Sequence, residues 1–158
     1  VAEALQQNAE RMESVKEAVI ASLDAQVEGA DILPKIIAPH KGRAILIDFW
    51  ATWCGPCQIE LAEVQKTLWP KYKDNKDFKL LVIGREHTDA ELKKYNERKK
   101  FGFPLYPDPK REVFSLFADQ TIPRAYLFGK DGKLIHASIG YTKSEFQELM
   151  ADIEAALK

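Results

Sequence analysis

The chain has 158 residues, 46% hydrophobic and 30% charged, which suits one globular domain with a sizeable core. Its formal net charge of −1 argues against nucleic acid or an anionic membrane surface as the main partner. No apolar run approaches the ~18 residues that span a bilayer, and the acidic start does not have the pattern of a signal peptide.

Residues 1–30 have the pattern of one long helix. Their apolar residues form a single stripe at helical spacing: Met12, Val15, Val19, Leu23 and Val27. Such a stripe is typical of a helix that packs on its own domain or tethers it, and the alternative is a helix that dimerises or binds a partner. Residues 31–41 complete this N-terminal part as a linking segment. The sequence begins with Val1 rather than Met, so we expect a mature or excised form that no longer includes any anchor or upstream domain.

A buried strand and a helix flank the two cysteines of the chain. Residues 44–50 are a nearly continuous apolar run, which predicts a strand buried on both faces of a sheet. Asp48 is the exception in this run. The helix that follows is expected to reach about Trp69, where Pro70 should stop it.

The middle of the chain continues the alternation of strands and helices. Residues 78–84 predict a second buried strand. Thr88 and Glu91 have capping-box spacing and open a charged helix to about Lys100. The prolines within residues 101–110 predict a loop.

The last part of the chain predicts a short helix, a hairpin and a final helix. Residues 111–118 suit the short helix, residues 124–128 and 134–138 flank a glycine-containing turn, and Thr142 begins a second capping-box pattern. The whole order implies an α/β fold with a mixed, mostly parallel sheet, an antiparallel edge and helices on both faces.

Cys54 and Cys57 are the only cysteines, too few for a disulfide-stapled scaffold. A thiolate at a helix N-terminus is stabilised, so the pKa of Cys54 should be lowered and Cys54 should be the nucleophile. Pro56 suits the first helical turn, and Cys57 lies one turn on, where it can attack a mixed disulfide held at Cys54. We expect Cys54 to be exposed and Cys57 largely buried. The alternative, a purely structural staple, is weak because a four-residue loop contributes only about 2 kcal/mol.

Two motifs in the chain resemble the signatures of thioredoxins. Ile47-Asp48-Phe49-Trp50-Ala51-Thr52-Trp53-Cys54-Gly55-Pro56-Cys57 resembles the active-site strand and helix start, and Thr121-Ile122-Pro123 resembles the family's cis-proline segment. The resemblance covers residues 42–158 and implies a thioredoxin fold, a mixed central sheet flanked by helices, here with an N-terminal helical extension. The long stretch between Cys57 and Pro123, together with Glu60, resembles the TlpA/ResA-like branch of bacterial extracytoplasmic thioredoxins.

The resemblance also implies roles for the residues around the cysteines. Asp48 would be buried, with a raised pKa, and would exchange a proton with Cys57; the alternative is a strand cap in water. Glu60 would tune the cysteines or be a solvated helix charge. Trp53 would shield the nucleophile and offer an apolar contact surface.

The remaining candidates would bind substrate or surround the site. Gly55 and Pro56 would contact substrate, and the Ile122 backbone before a cis Pro123 would pair with an extended substrate segment. Arg124 would influence substrate charge or be an exposed strand residue. Residues 85–87 follow a parallel strand and would either line the active-site edge or form a polar loop.

The function predicted is thiol–disulfide exchange in which the protein reduces disulfides of protein substrates. An upstream thiol reductase would supply the electrons. No organic cofactor or metal is needed, because the two sulfurs carry the electrons. We expect a periplasmic or other extracytoplasmic location, with a membrane tether or fused domain before residue 1; the cytoplasm is the alternative. The rival functions are a copper or zinc chaperone that adds a histidine to the cysteines and a thiol peroxidase. The histidines are scattered singly: His40, His87 and His136.

Overall fold

A five-stranded mixed sheet forms the centre of the computed structural model, which describes residue 40 and residues 42–158. The strands are β1 (Ala44–Trp50), β2 (Phe78–Arg85), β3 (Leu105–Asp108), β4 (Arg124–Phe128) and β5 (Leu134–Ile139). Their order across the sheet is β3-β2-β1-β4-β5. The predicted helix over residues 1–30 and the linking segment 31–41, apart from residue 40, lie outside the described residues.

Helices cover the sheet, so the predicted α/β class with a mixed sheet is confirmed. They are α1 (Gly55–Glu63), α2 (Trp69–Tyr72), α3 (Asp89–Lys99), α4 (Phe114–Phe117) and α5 (Lys143–Ala156), with a π-helical segment, Val64–Leu68, between α1 and α2. Thr88 caps α3 through the full capping box, whereas at Thr142 only the hydroxyl half forms, accepting from the Glu145 N–H at 3.1 Å. None of these described helices has the length and apolar character needed to cross a membrane.

The central strand β1 divides the buried residues into two clusters. Successive side chains of a strand point to opposite faces. Leu46 and Trp50 therefore enter the cluster that also contains both cysteines, while Ile47 and Phe49 enter an aromatic cluster on the other face. By the same alternation, Asp48 lies on the face of the cysteines.

The prediction of a loop over residues 101–110 is wrong at its centre, where β3 pairs in parallel with β2. β3 is an edge strand, so Pro107, opposite Gly84, can occupy it without breaking a ladder on its free side. With β3 included, the sheet has two parallel and two antiparallel pairings, not a mostly parallel arrangement.

The sequence predicted that Pro70 stops the helix that follows the cysteines, and this prediction is wrong. The chain passes through the π-helical segment, in which the Trp69 N–H donates to the Val64 carbonyl, and continues as α2 to Tyr72. This wider turn restarts the helix and leaves Pro70 in a first-turn position, where its missing N–H needs no intrahelical partner.

Candidate active site

Cys54 and Cys57 form a disulfide at the N-terminus of α1. Cys54 is the N-cap residue, its sulfur 3.3 Å from the Cys57 backbone N–H, and Pro56 lies in the first turn. Cys57 is fully buried, but the expectation of an exposed Cys54 is wrong, because Cys54 is only 6% exposed. The Ile122 carbonyl lies 3.9 Å from the Cys54 sulfur and helps to cover it. Cys54 remains the more accessible of the two.

The segment opposite the disulfide contains the predicted cis bond, between Ile122 and Pro123. Arg124 holds this segment: its guanidinium donates to the carbonyls of Gln120 (Nη2, 2.6 Å) and Thr121 (Nε, 2.8 Å). Thr121 has a φ of +81°, which is uncommon for a β-branched residue. The Arg124 side chain thus anchors the backbone beside the cysteines, a contact that the sequence did not suggest, and its influence on substrate charge stays a prediction.

Two buried carboxyl groups lie on the face of the sheet that carries the cysteines. Asp48 on β1 is 1% exposed and Glu60 on α1 is 4% exposed, and the two carboxyl groups are near enough to affect each other's pKa. Burial raises the pKa of Asp48 well above its ordinary value, and the charge of Glu60 raises it further. Burial also raises the pKa of Glu60. The alternatives of a strand cap in water for Asp48 and a solvated charge for Glu60 are therefore wrong.

A small cavity adjoins the carboxyl pair. Its volume is about 10 Å³, close to the space that one water molecule requires, and Glu60, Tyr141 and Glu145 are among its lining residues. Within the described part of the chain, Oε1 of Glu60 has no hydrogen-bond partner. The cavity thus connects the buried pair to the first turn of α5.

An exposed surface surrounds the disulfide. Trp53 is 64% exposed, which favours the predicted contact role over shielding. Gly55 and Pro56 are also exposed, whereas Ile122 is half-buried and Pro123 is buried. Trp53, Gly55 and Pro56 adjoin Cys54 in the sequence, and the Ile122 carbonyl, one residue before Pro123, contacts the Cys54 sulfur. The five predicted substrate-binding residues therefore lie around Cys54.

Arg85 and His87 are buried and extend from the end of β2 toward the segment before Cys54, whereas Glu86 between them is exposed. The Arg85 guanidinium lies 5.6 Å from the centre of the Trp53 ring. His87 is 5% exposed, and its Nε2 accepts from the Thr52 backbone N–H at 3.0 Å. Its Nδ1 lies 3.2 Å from a carboxylate oxygen of Glu91, which places the ring proton on Nδ1. The only sequence signal for the contact between His87 and Thr52 was that His87 follows a predicted parallel strand.

Metal ligands do not converge within residues 40 and 42–158: no three His, Cys, Asp or Glu side chains there could jointly hold an ion. His87 and His136 pair with carboxylates instead, His136 with Asp152 at 2.9 Å.

Comparison with known proteins gives consistent matches. The model of the AhpC/TSA family matches residues 22–137. The thiol-disulfide oxidoreductase ResA of Bacillus thuringiensis subsp. konkukian (strain 97-27) is 31% identical over 114 residues, 72% of this chain. This chain spans 65% of the length of that relative. The sporulation thiol-disulfide oxidoreductase A of Bacillus subtilis (strain 168) is 28% identical over 75% of this chain and 70% of its own.

A solved structure gives the same result for the fold. The solution structure of a candidate protein disulfide isomerase from Bacteroides thetaiotaomicron matches with a TM-score of 0.73 and 30% identity, covering 77% of each chain. The thioredoxin fold and the resemblance to ResA-like proteins are thereby confirmed.

Proposed function

This chain belongs to the AhpC/TSA family, and from that premise we propose that it is a thiol–disulfide oxidoreductase that acts on protein substrates. The observation that carries the proposal is the disulfide between the N-cap residue of α1 and the residue one turn later. Unpaired N–H groups at a helix N-terminus stabilise a thiolate, which is the attacking species in disulfide exchange.

The reaction proceeds from the reduced protein in two exchanges. The Cys54 thiolate attacks a substrate disulfide, so that one substrate sulfur joins Cys54 and the other leaves as a thiolate and takes up a proton. Cys57 then loses its proton and attacks the Cys54 sulfur. The Cys54–Cys57 disulfide forms, the second substrate sulfur leaves as a thiolate that takes up a proton from solvent, and two electrons have passed to the substrate.

Asp48 and Glu60 manage the proton of Cys57 in this scheme. Asp48 accepts that proton as Cys57 becomes a nucleophile and returns it when the disulfide is reduced again. Glu60, which affects the pKa of Asp48, tunes this exchange through the charge that the two carboxyls share.

The substrate binds on the exposed side of the disulfide. Trp53, Gly55 and Pro56 offer the contact surface, and the backbone at Ile122, beside Pro123, pairs with an extended substrate segment. The cysteine pair acts as a reductant, and an upstream thiol reductase re-reduces it. The site of action is periplasmic or otherwise extracytoplasmic.

Trapping of a mixed disulfide tests the function and the order of attack. With Cys57→Ser, the resolving attack is lost, so reduced protein mixed with oxidised insulin should accumulate a covalent complex through Cys54. Non-reducing electrophoresis and mass spectrometry measure the complex. Cys54→Ser is the matched control and should trap none.

Trapping by Cys54→Ser alone would reverse the assigned roles, and trapping by neither variant would contradict the function. In that case, tight Cu(I) or Zn²⁺ binding by the reduced protein would favour a metal chaperone, and peroxide turnover would favour a peroxidase.

A further inference from the structure

Arg85 is a buried cation that lacks an acidic partner. It is 9% exposed, and its guanidinium lies against two aromatic rings, 5.0 Å from the centre of Phe114 and 5.6 Å from that of Trp53. Among the described residues no carboxylate forms an ion pair with it, and its Nε has no hydrogen-bond partner. Charged side chains are rarely buried to this extent without a partner.

The charged residues nearest to Arg85 do not neutralise its cation. Glu86, the next residue, pairs with Arg111 at 3.4 Å. The Arg111 guanidinium also lies over the Phe114 ring, at 5.2 Å, so that ring contacts two cations. The local arrangement therefore favours the approach of an anion from outside this part of the chain.

Arg85 lies where a bound substrate would supply the anion, because its guanidinium contacts the residue before Cys54. Trp53 directly precedes the nucleophile, and its ring is 64% exposed while it contacts Arg85. When the sulfur of a substrate reacts with Cys54, a residue beside it can pack on Trp53. That residue then lies close to the Arg85 guanidinium. The planar guanidinium is suited to a carboxylate, which it can bind through two parallel hydrogen bonds.

We propose that Arg85, together with Trp53, recognises an acidic side chain next to the target cysteine of the substrate protein. The substrate class is thus disulfide-containing proteins with Asp or Glu beside the reactive cysteine. This inference rests on the proposed function and adds a specificity to it.

Peptide disulfides that differ at one position test the inference. Three peptides of one length carry Glu, Gln or Lys beside the cysteine, and 2-hydroxyethyl disulfide serves as the uncharged small substrate. The rate constants of the reduced protein are measured by stopped flow and divided by that for the small substrate. We expect the Glu peptide to react about five- to tenfold faster than the Gln peptide, the Lys peptide to be slowest, and the preference to shrink at high salt.

Variants connect this preference to Arg85. Arg85→Gln should reduce the Glu-to-Gln ratio to about one, whereas Arg85→Lys, which keeps the charge without the planar fork, should retain part of it. Arg98→Gln is the matched control, because it removes a guanidinium that lies 5.4 Å from the Tyr95 ring, with the same change in net charge. It should leave the ratio unchanged.

The outcomes separate this inference from the proposed function. A protein that does not react even with 2-hydroxyethyl disulfide contradicts the function itself. Reaction with that substrate but equal rates for the Glu and Gln peptides overturns the inference alone. A Glu preference that survives in a folded Arg85→Gln protein would also overturn it, because the charge would then be recognised elsewhere.

Discussion

Asp48 and Glu60 belong to different elements, β1 and α1, and meet beside the cluster that contains Cys57. Each carboxyl is disfavoured as an anion by burial, and two adjacent anions would repel each other in this low-dielectric setting. The pair therefore titrates as a unit and retains a proton above the pH at which a solvated carboxyl has lost it. Such a group can both accept and return the proton of Cys57.

The rate of disulfide exchange should depend on this pair as one unit. Asp48→Asn is expected to slow exchange with a small disulfide by about 10²-fold, the low end for loss of a general base, and Glu60→Gln by less. The double variant should be about as slow as Asp48→Asn alone, since groups that act together are not additive. Stopped-flow rates from pH 6 to 9 measure this.

Glu63→Gln is the control for these variants, because Glu63 lies on α1 outside the pair and should change little. Full activity of Asp48→Asn across the pH range would mean that solvent, and not Asp48, accepts the proton of Cys57.

The sequence predicted the residues that lie within short motifs, but not those that reach the site from a distance. Asp48 was recognisable as a charge within an apolar run. The contact between Thr52 and His87 joins residues 35 positions apart, and no local pattern shows which nitrogen of a histidine will meet which amide. Arg124 was placed correctly on a strand, yet its hydrogen bonds to the Gln120 and Thr121 carbonyls depend on how the preceding backbone turns.

At the scale of elements, the carboxyl end of β2 is held by β3, the strand that the sequence did not predict. The Glu86 N–H donates to the Asp108 carbonyl at 2.9 Å, and the Asp108 N–H donates to the His87 carbonyl at 3.2 Å. The Asp108 carboxylate accepts from the first backbone N–H groups of the α4 region, including that of Phe114 at 2.9 Å. β3 thus fixes the loop from which His87 reaches the segment before Cys54. The sequence did not reveal β3, because Pro107 within it and the prolines on either side are as typical of a loop as of an edge strand.

The hydrogen bond from Thr52 to His87 should support the geometry of Cys54. His87→Phe keeps a ring but removes the acceptor, so hydrogen exchange of the Thr52 amide should rise about tenfold and the rate of disulfide exchange should fall. His87→Gln provides an acceptor at a similar reach and should restore both. Amide exchange followed by NMR and stopped-flow rates give the two measurements.

His136→Phe is the matched control, because His136 is also buried and paired with a carboxylate, that of Asp152. It should leave the Thr52 amide protected. Equal losses in His87→Phe and His87→Gln would assign His87 to packing alone.

At the scale of the whole molecule, the chemistry lies on one face of the sheet and the aromatic cluster around Phe49 lies on the other. The cluster with Cys54, Cys57 and Trp50 lies on one face, and on the other Phe49 contacts the rings of Phe114, Phe117 and Tyr126. The four-residue disulfide loop contributes only about 2 kcal/mol by chain entropy. The fold is thus supported mainly by its two buried clusters, which leaves the disulfide free to open and close.

The buried carboxyls should make the folded protein less stable as the pH rises. In the unfolded chain Asp48 loses its proton near pH 4, whereas in the folded protein its raised pKa retains it. Above that pH the folded state binds more protons than the unfolded state, so the free energy of unfolding falls until the pH passes the folded pKa. Each unit of separation between the two pKa values corresponds to about 1.4 kcal/mol.

Asp48→Asn removes this dependence and provides the test. Asparagine resembles the protonated aspartate, so the variant and the parent should be similarly stable near pH 4, and the variant should be more stable by about 1–3 kcal/mol at pH 8. Urea unfolding of the oxidised proteins at one-unit steps from pH 4 to 8 measures the difference, and oxidation keeps thiol titration out of the result. Glu63→Gln should follow the parent at every pH. A parent that gains stability relative to Asp48→Asn as the pH rises would mean that the fold favours the Asp48 anion, and the proton-holding role assigned to the pair would then be wrong.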